Sequence, residues 1–209
     1  MDLDGVLVDA MDWHEEAFLA ALRAHGGVDI GVQEHRERYA GMPTKAKLAH
    51  LVKLGVIPES KVERIAQAKQ ALTQTYIELH ATIDAQRVYL LRHFQTAGYL
   101  LGCVTNCITS TTIDMLTRTG VMPFVASCVV TNEMVKEPKP SPEPYRKACG
   151  LLGVETHEAL AFEDHDIGMT SAFNAGVYTR QITTFKELTV ETVWTAIQQA
   201  NLQEKMEPV

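Results

Sequence analysis

Two aspartates, Asp2 and Asp4, are separated by one residue in the segment Met1-Asp2-Leu3-Asp4-Gly5. Their residue type and spacing suit catalysis by carboxylates or the binding of a cation. Residues i and i+2 of an extended segment point the same way, so both carboxylates reach one small space. Their charges repel unless a cation or a proton is shared. Such a pair suits a carboxylate nucleophile beside an acid/base group, with a hard cation bound through oxygen. An acidic turn or an adventitious cation site is the alternative.

Polar residues also follow three later apolar segments. Thr105 and Asn106 follow the first, Lys139 lies in a proline-rich stretch after the second, and Glu163 and Asp164 follow the third. The three segments are Tyr99–Val104, Val125–Val130 and Ala159–Phe162. Taken singly, Thr105 could be a helix cap, Lys139 a solvated surface charge, and Glu163 with Asp164 an acidic loop. Because ligands bind beyond the carboxyl ends of strands in open α/β sheets, their joint occurrence favours one site.

The elements that must position these residues alternate from Ile83 onward. The periodicity predicts helices separated by short, almost continuously apolar strands, a pattern typical of a parallel sheet covered on both faces. The predicted helices are 86–97, 109–119, 142–152 and 167–175, and a further strand is predicted at 177–179. We therefore predict an α/β fold with a doubly wound parallel sheet. The segment carrying Asp2 should be central in that sheet, because its carboxylate must meet the other polar strand ends.

The residues between the first strand and this alternating region have a different, helical pattern. Asp12, Thr44 and Ser60 can cap three amphipathic helices, and no convincing strand lies between them. The domains predicted from this change are an α/β core of residues 1–10 and 83–209, and a helical insertion of residues 11–82.

Composition excludes several classes of function. A formal net charge of −7 and a pI near 5.6 argue against non-specific nucleic-acid binding. No apolar stretch is long enough to span a bilayer, so no membrane partner is expected. The four cysteines contain no C-x-x-C pair. They indicate reduced, packed thiols, and hence a cytoplasmic protein.

The motifs, in this order, resemble those of the haloacid dehalogenase superfamily, in its phosphatase and β-phosphoglucomutase-like branch. The first motif, D-x-D-G-[VT], matches Asp2–Val6, and the second, a Ser or Thr ending a strand, matches Thr105. The third, K-P-x-P-[DE], matches Lys139–Glu143, and the fourth, E-D-x-x-x-G, matches Glu163–Gly168. The resemblance covers nearly the whole chain. It implies a Rossmann-like core with a small helical cap inserted after the first strand.

The resemblance also implies roles for the motif residues. Asp2 would attack phosphorus and form an aspartyl-phosphate, while Asp4 would protonate the leaving group and then activate water. Thr105 and nearby backbone amides would hold the phosphoryl oxygens, and Lys139 would offset negative charge. Magnesium would be the cofactor. Its ligands would be Asp2, the Asp4 carbonyl, Glu163 and Asp164.

Three further residues are candidates for substrate binding: Asn106 after the second motif, and His14 and Lys45 in the insertion. His14 and Lys45 loosely resemble substrate-facing residues of β-phosphoglucomutases. The alternative is that His14 merely occupies a first helical turn and that Lys45 is a solvated charge. His165 stands where this branch often has a small serine, and it could donate to a residue of the site, contact the substrate or be a solvated side chain.

The resemblance implies a magnesium-dependent phosphatase acting on a small phosphorylated metabolite, a sugar phosphate or similar. One alternative is a β-phosphoglucomutase-like phosphomutase. The other is an inactive domain with a binding role, motivated by the start of the chain. Only Met1 precedes Asp2, whereas the family's first strand normally supplies several apolar residues there. We therefore expect the sequence to be an N-terminally incomplete version of a longer protein, with poor stability and weak activity.

Overall fold

The computed structural model describes residues 1–204, with side chains described through residue 201. Residues 205–209 of the predicted core range lie outside this part. The chain forms two compact units: Met1–Asp9 with Thr82–Val209, and Ala10–Ala81. Within the described residues, no helix has the length and apolar character needed to cross a membrane.

The second unit is entirely helical in its regular structure. Its helices are α1 (Met11–Ala21), α2 (Gly31–Arg38), α3 (Thr44–Lys53) and α4 (Val62–His80). A π-helical turn, Leu22–Gly26, extends α1 and ends at Gly27, whose φ of 75° suits glycine. Phe18, Leu48 and Ile65 are fully buried at the centre of this unit.

A polar network crosses this apolar core. The imidazole of His35 lies 3.0 Å from the Lys47 ammonium and 3.3 Å from the Glu15 carboxylate. Arg36 donates two hydrogen bonds of 2.8 Å to Glu15. Burial, followed by the charge of Lys47, lowers the pKa of His35 to about 4. His35 is therefore neutral near pH 7, so Nε2 accepts from Lys47 and Nδ1–H donates to Glu15.

The first unit alternates helices with short strands. In chain order it contains α5 (Ala85–Thr96), β1 (Cys103–Val104), α6 (Thr109–Arg118), α7 (Met122–Val125), β2 (Val129–Val130), α8 (Glu143–Leu152), β3 (Leu160–Glu163), α9 (Asp166–Ala175), β4 (Tyr178–Gln181) and α10 (Val190–Glu204). β1 pairs in parallel with β2, and β3 pairs in parallel with β4.

The amino-terminal residues join these two strand pairs. The N–H of Val104 donates to the Met1 carbonyl at 2.9 Å, and the N–H of Asp2 donates to the Phe162 carbonyl at 3.0 Å. The spatial order is therefore β2, β1, Met1–Asp2, β3, β4. The predicted central position of Asp2 is confirmed.

A tight turn follows Asp2. Gly5 adopts a φ of 76°, its N–H donates to the Val8 carbonyl at 2.8 Å, and the N–H of Val8 donates back to Leu3 at 2.8 Å. Leu3 and Leu7 are buried by this turn. The turn thus anchors the segment on both sides of Asp4.

Two predicted strands are wrong in extent. The strand predicted at Tyr99–Val104 is formed only by Cys103–Val104, the two residues that pair with Val129 and Val130 of β2. The strand predicted at Val125–Val130 is formed only by Val129–Val130, since its start lies in α7. A short apolar run reads equally as a buried helix or a strand by periodicity alone.

The low pKa of His35 predicts a pH-dependent stability of the helical unit. Between pH 6.5 and about 4, His35 is protonated in the unfolded chain but remains neutral in the folded protein. Because the unfolded state binds more protons over this interval, the contribution of His35 to the free energy of unfolding falls as the pH falls. From pH 7 to about pH 5 this loss should be about 1–2 kcal/mol. Urea denaturation followed by circular dichroism at several pH values measures it.

The His35→Gln variant should show a shallower fall in stability over this interval, whatever its absolute stability. His157→Gln, which changes an exposed histidine, is the control and should keep the wild-type slope. Equal slopes for wild type and His35→Gln would contradict the assignment of this loss to His35.

Candidate active site

The ammonium of Lys139 is the centre of the site. Its Nζ lies 2.9 Å from Asp2 Oδ1, 2.6 Å from Glu163 Oε1 and 2.7 Å from the Val104 carbonyl. These three acceptors match the three N–H donors of an ammonium group. Burial lowers the pKa of Lys139, but the charges of Asp2 and Glu163 raise it by more, so its net pKa lies above the ordinary value. Lys139 is therefore a permanent positive charge.

Asn106 holds the backbone that carries Lys139. The Asn106 side-chain oxygen accepts from the Lys139 N–H at 3.0 Å, and its Nδ2 donates to the Lys139 carbonyl at 3.2 Å. Asn132 Nδ2 in turn donates to the Asn106 carbonyl at 2.8 Å. The structure thus gives the Asn106 amide a positioning role toward Lys139, and substrate binding by Asn106 stays a prediction.

Glu163 ends β3 and is almost completely buried, with 1% exposure. Burial and the charge of Asp2 raise its pKa to about 7, against the lowering effect of Lys139. The hydroxyl of Tyr145, on α8, donates to the same Glu163 oxygen that Lys139 binds. Burial and the charge of Glu163 raise the pKa of Tyr145 well above its ordinary value, so the phenol remains a neutral donor.

The motif glycine at 168 makes room for this carboxylate. A Cβ built on Gly168 would overlap the Glu163 carboxylate group. Gly168 lies in the first turn of α9, which begins at Asp166, shortly after Glu163 and Asp164. The close approach of α9 to Glu163 therefore requires a residue without a side chain here.

Three carboxylates converge beside Lys139. One oxygen each from Asp2, Glu163 and Asp164 lie within 4.8 Å of one another. Burial, and then the charges of Asp2 and Glu163, raise the pKa of Asp164 to about 8. One lysine does not neutralise three carboxylates, and an all-oxygen donor set suits a hard divalent cation. The arrangement thus fits Mg²⁺, which the three carboxylates would hold.

Asp4 contacts a residue that the sequence did not single out. The thiol of Cys107 donates to Asp4 Oδ2 at 3.1 Å, and the N–H of Cys107 donates to Thr105 Oγ1 at 3.0 Å. Thr105 is buried and its own N–H donates to the Val130 carbonyl at 2.9 Å. The loop after β1 therefore places Thr105 and Asp4 around one cysteine. The position of Cys107, two residues after Thr105 in the sequence, is the feature that could have marked it as a candidate site residue.

The predicted residues of the helical unit have different surroundings. His14 Nδ1 lies 2.9 Å from the ammonium of Lys69, a buried lysine on α4 that sequence reasoning missed. Lys45 is exposed at the start of α3, whereas Lys47 is the buried lysine of that helix. Substrate binding by His14 and Lys45 stays a prediction.

His165 caps a helix. Its Nδ1 accepts from the N–H of Ile167 at 3.3 Å, at the amino end of α9. This hydrogen bond gives the His165 side chain a structural role as the N-cap of α9. A donor or substrate role for His165 has no support from its hydrogen bond.

Comparisons with known proteins agree with these motifs. A family model described as haloacid dehalogenase-like hydrolase matches residues 1–182. The validoxylamine A 7′-phosphate phosphatase of Streptomyces hygroscopicus subsp. limoneus is 29% identical over 184 residues, which cover 88% of this chain and 84% of the relative. A pyrophosphatase PpaX of Bacillus velezensis is 31% identical over 179 residues, covering 85% and 79%.

A solved structure shows the same fold. The crystal structure of a β-phosphoglucomutase from Clostridium difficile matches with a TM-score of 0.82 at 18% sequence identity, covering 96% of each chain. At this identity the likeness concerns the fold. The predicted fold class, a Rossmann-like α/β core with a helical cap, is confirmed.

The contact between Gly168 and Glu163 predicts the effect of adding one methyl group. Gly168→Ala should displace the Glu163 carboxylate or α9 and destabilise the protein by about 1–3 kcal/mol. Gly150→Ala on α8 is the matched control, because a Cβ there meets no atom within 4 Å. It should be neutral or stabilising by up to about 1 kcal/mol. Thermal unfolding of both variants measures the difference, and equal melting temperatures would contradict the tight packing at Gly168.

Proposed function

Since the chain belongs to the haloacid dehalogenase-like hydrolase family, as its motifs predicted, we propose that it is a magnesium-dependent phosphatase working through an aspartyl-phosphate. The observation that carries the proposal is the buried Lys139 ammonium, bonded to the carboxylates of Asp2 and Glu163. Asp4 supplies a second carboxylate two residues from the first. Phosphoryl transfer depends on such positioning and charge neutralisation more than on covalent chemistry.

Asp2 is the nucleophile in this proposal. Lys139 binds one of its oxygens and so orients the carboxylate, while the positive charge offsets the charge gathered around the phosphoryl group. The second oxygen attacks phosphorus, a new O–P bond forms, and the ester O–P bond breaks. The leaving oxygen takes a proton from Asp4.

Asp4 acts again in hydrolysis. Now deprotonated, it takes a proton from a water molecule, which attacks phosphorus and releases inorganic phosphate and the Asp2 carboxylate. The Cys107 thiol orients Asp4 through its hydrogen bond to Oδ2. Thr105 and the backbone amides after it bind the phosphoryl oxygens.

Magnesium would be held by Asp2, Glu163, Asp164 and the Asp4 carbonyl, and it would supply positive charge to the phosphoryl oxygens. Burial is the main cause of the raised pKa values of Glu163 and Asp164, and the neighbouring carboxylates raise them further. The second effect supports this assignment, since a divalent cation would offset the crowded negative charge.

The substrate we propose is a small phosphate monoester, a sugar phosphate or similar. The validoxylamine phosphatase relative is named for such an ester and the PpaX relative for pyrophosphate, so the two names support phosphate release without agreeing on a substrate. In the helical unit we assign substrate contacts to His14, Lys69 and Lys45. Lys69 and His14 are joined by a hydrogen bond. Lys69 offers a cation, and His14 offers a ring N–H, to an oxygen-rich substrate.

A panel of small phosphate esters tests this function. Wild type should release phosphate in the presence of Mg²⁺, and Asp2→Asn should lower the rate by on the order of 10³-fold or more while leaving the circular dichroism spectrum unchanged. Asp114→Asn, which changes a surface carboxylate paired with Arg118, should retain the wild-type rate. Wild-type turnover by a folded Asp2→Asn protein would overturn the nucleophile assignment.

The same panel separates the alternatives. With β-glucose 1-phosphate and a trace of the bisphosphate, we expect phosphate release to outpace isomerisation, since a mutase must keep water from the aspartyl-phosphate. Faster isomerisation to glucose 6-phosphate would identify a phosphomutase. Binding of phosphate esters without either reaction would favour an inactive binding domain.

The carboxylate cluster predicts a loss of metal affinity on removal of one ligand. Asp164→Asn should raise the Mg²⁺ concentration needed for half-maximal activity by at least about tenfold, and should weaken Mg²⁺ binding in calorimetry equally. Glu191→Gln, on the exposed side of α10, should change neither value. Unchanged Mg²⁺ binding by Asp164→Asn would place the metal elsewhere.

A further inference from the structure

Tyr145 is a buried side chain that the mechanism above does not use. It lies in the first turn of α8 and is 4% exposed. Its hydroxyl donates to Glu163 Oε1, the oxygen that also accepts from the Lys139 ammonium. The centre of the Tyr145 ring lies 5.4 Å from Lys139 Nζ. Tyr145 therefore contacts both partners of an ion pair in the site.

The Lys139 ammonium is shared between two carboxylates. Its Nζ lies 2.6 Å from Glu163 Oε1 and 2.9 Å from Asp2 Oδ1. Both oxygens attract the same positive charge, so a stronger attraction by Glu163 weakens the bond to Asp2. A second hydrogen-bond donor on Glu163 Oε1 takes up part of the negative charge of that oxygen. The Tyr145 hydroxyl is such a donor, and it moderates the attraction between Glu163 and Lys139.

The surroundings of Glu163 leave its carboxylate little freedom to adjust. Its Oε2 lies against α9, since a Cβ built on Gly168 would overlap that oxygen. The residue is buried as well, so water has poor access to a carboxylate oxygen that loses a donor. Without the Tyr145 hydroxyl, the negative charge of Oε1 would therefore act more fully on Lys139.

The helix that carries Tyr145 is fixed at its amino end. The carboxylate of Glu143 accepts hydrogen bonds of 2.9 Å from the backbone N–H groups of Lys136 and Glu137. The same loop carries Lys139. The Tyr145 hydroxyl and the Lys139 ammonium are therefore held in a defined relation, as groups must be when they orient a reacting side chain.

We propose that Tyr145 is a positioning residue for the nucleophile. By donating to Glu163, it leaves the Lys139 ammonium bonded to Asp2 Oδ1, which orients the other Asp2 oxygen for attack on phosphorus. Tyr145 acts through Glu163 and Lys139, and not on the substrate. The inference rests on the proposed function for the role of Asp2, whereas the place of the ammonium can be measured without turnover.

Proton–nitrogen correlation spectra of the lysine ammonium groups measure the place of Lys139. At low temperature a buried, hydrogen-bonded ammonium exchanges its protons slowly enough to be observed, and the Lys139 signal is the one missing from Lys139→Arg. Tyr145→Phe should shift this signal by more than its linewidth. Tyr89→Phe, which changes an exposed tyrosine on α5, is the matched control and should leave the signal unchanged.

Steady-state kinetics with acetyl phosphate and Mg²⁺ measures the effect on the reaction. The ratio kcat/KM reports the steps up to formation of the aspartyl-phosphate, and Tyr145→Phe should lower it by about tenfold or more. Inhibition by inorganic phosphate should change by less than about threefold, because ground-state contacts to phosphate are kept. Tyr89→Phe should match wild type in both measurements.

Two substituted rings at position 145 separate hydrogen bonding from packing. 4-Aminophenylalanine keeps a ring N–H donor toward Glu163 and should restore most of kcat/KM. 4-Fluorophenylalanine fills the place of the hydroxyl without a donor and should remain as slow as Tyr145→Phe. If Tyr145→Phe does not fold, the comparison of these two forms decides the question.

An unchanged Lys139 signal in folded Tyr145→Phe would overturn the proposal. A shifted signal with wild-type kcat/KM would also overturn it, as would equal rates for the two substituted rings, since the hydroxyl would then serve only packing. Absence of turnover by wild type would overturn the proposed function instead, and the Lys139 signal alone would then decide whether Tyr145 positions the ammonium.

Discussion

The bonds of the Lys139 ammonium to Asp2 and Glu163 are the interaction on which the rest of the site depends. Charges taken out of water destabilise a fold unless they are paired and fully hydrogen-bonded, and the Val104 carbonyl completes the set for Lys139. The two carboxylates lie 137 and 24 residues away from Lys139 in the chain. The amino-terminal segment, the loop after β2 and the end of β3 must therefore meet at one point.

This convergence also places several carboxylates close together, and their mutual repulsion favours the binding of a cation. One ammonium faces the carboxylates of Asp2, Glu163 and Asp164, and burial together with their mutual repulsion raises the pKa values of Glu163 and Asp164. A divalent cation relieves the same repulsion without protonation. Two neighbouring side chains hold this arrangement in place. Asn106 accepts a hydrogen bond from the backbone N–H of Lys139, and the Tyr145 hydroxyl donates to Glu163.

The sequence predicted the residues that meet here, because strand ends in a parallel sheet share one edge and each motif follows an apolar run. It did not predict the partners. Tyr145, which donates to Glu163, lies within a helix, where an amphipathic pattern gives no sign of one polar contact, and the role of Asn106 depends on a loop conformation. Strand extent was also missed, because pairing to a neighbour sets the length of Cys103–Val104 and periodicity cannot separate the helix at Met122–Val125 from a strand.

The most direct test of this account is the chemical identity of residue 2 after the reaction is stopped midway. The enzyme would be mixed with Mg²⁺ and acetyl phosphate, quenched in acid and reduced with borohydride, which converts an aspartyl-phosphate to homoserine. Fragmentation of the amino-terminal peptide by mass spectrometry then identifies the altered residue. If Asp2 is the nucleophile, homoserine will be found at position 2 and Asp4 will be unchanged. Homoserine at another aspartate, or phosphate release with no altered residue, would contradict it.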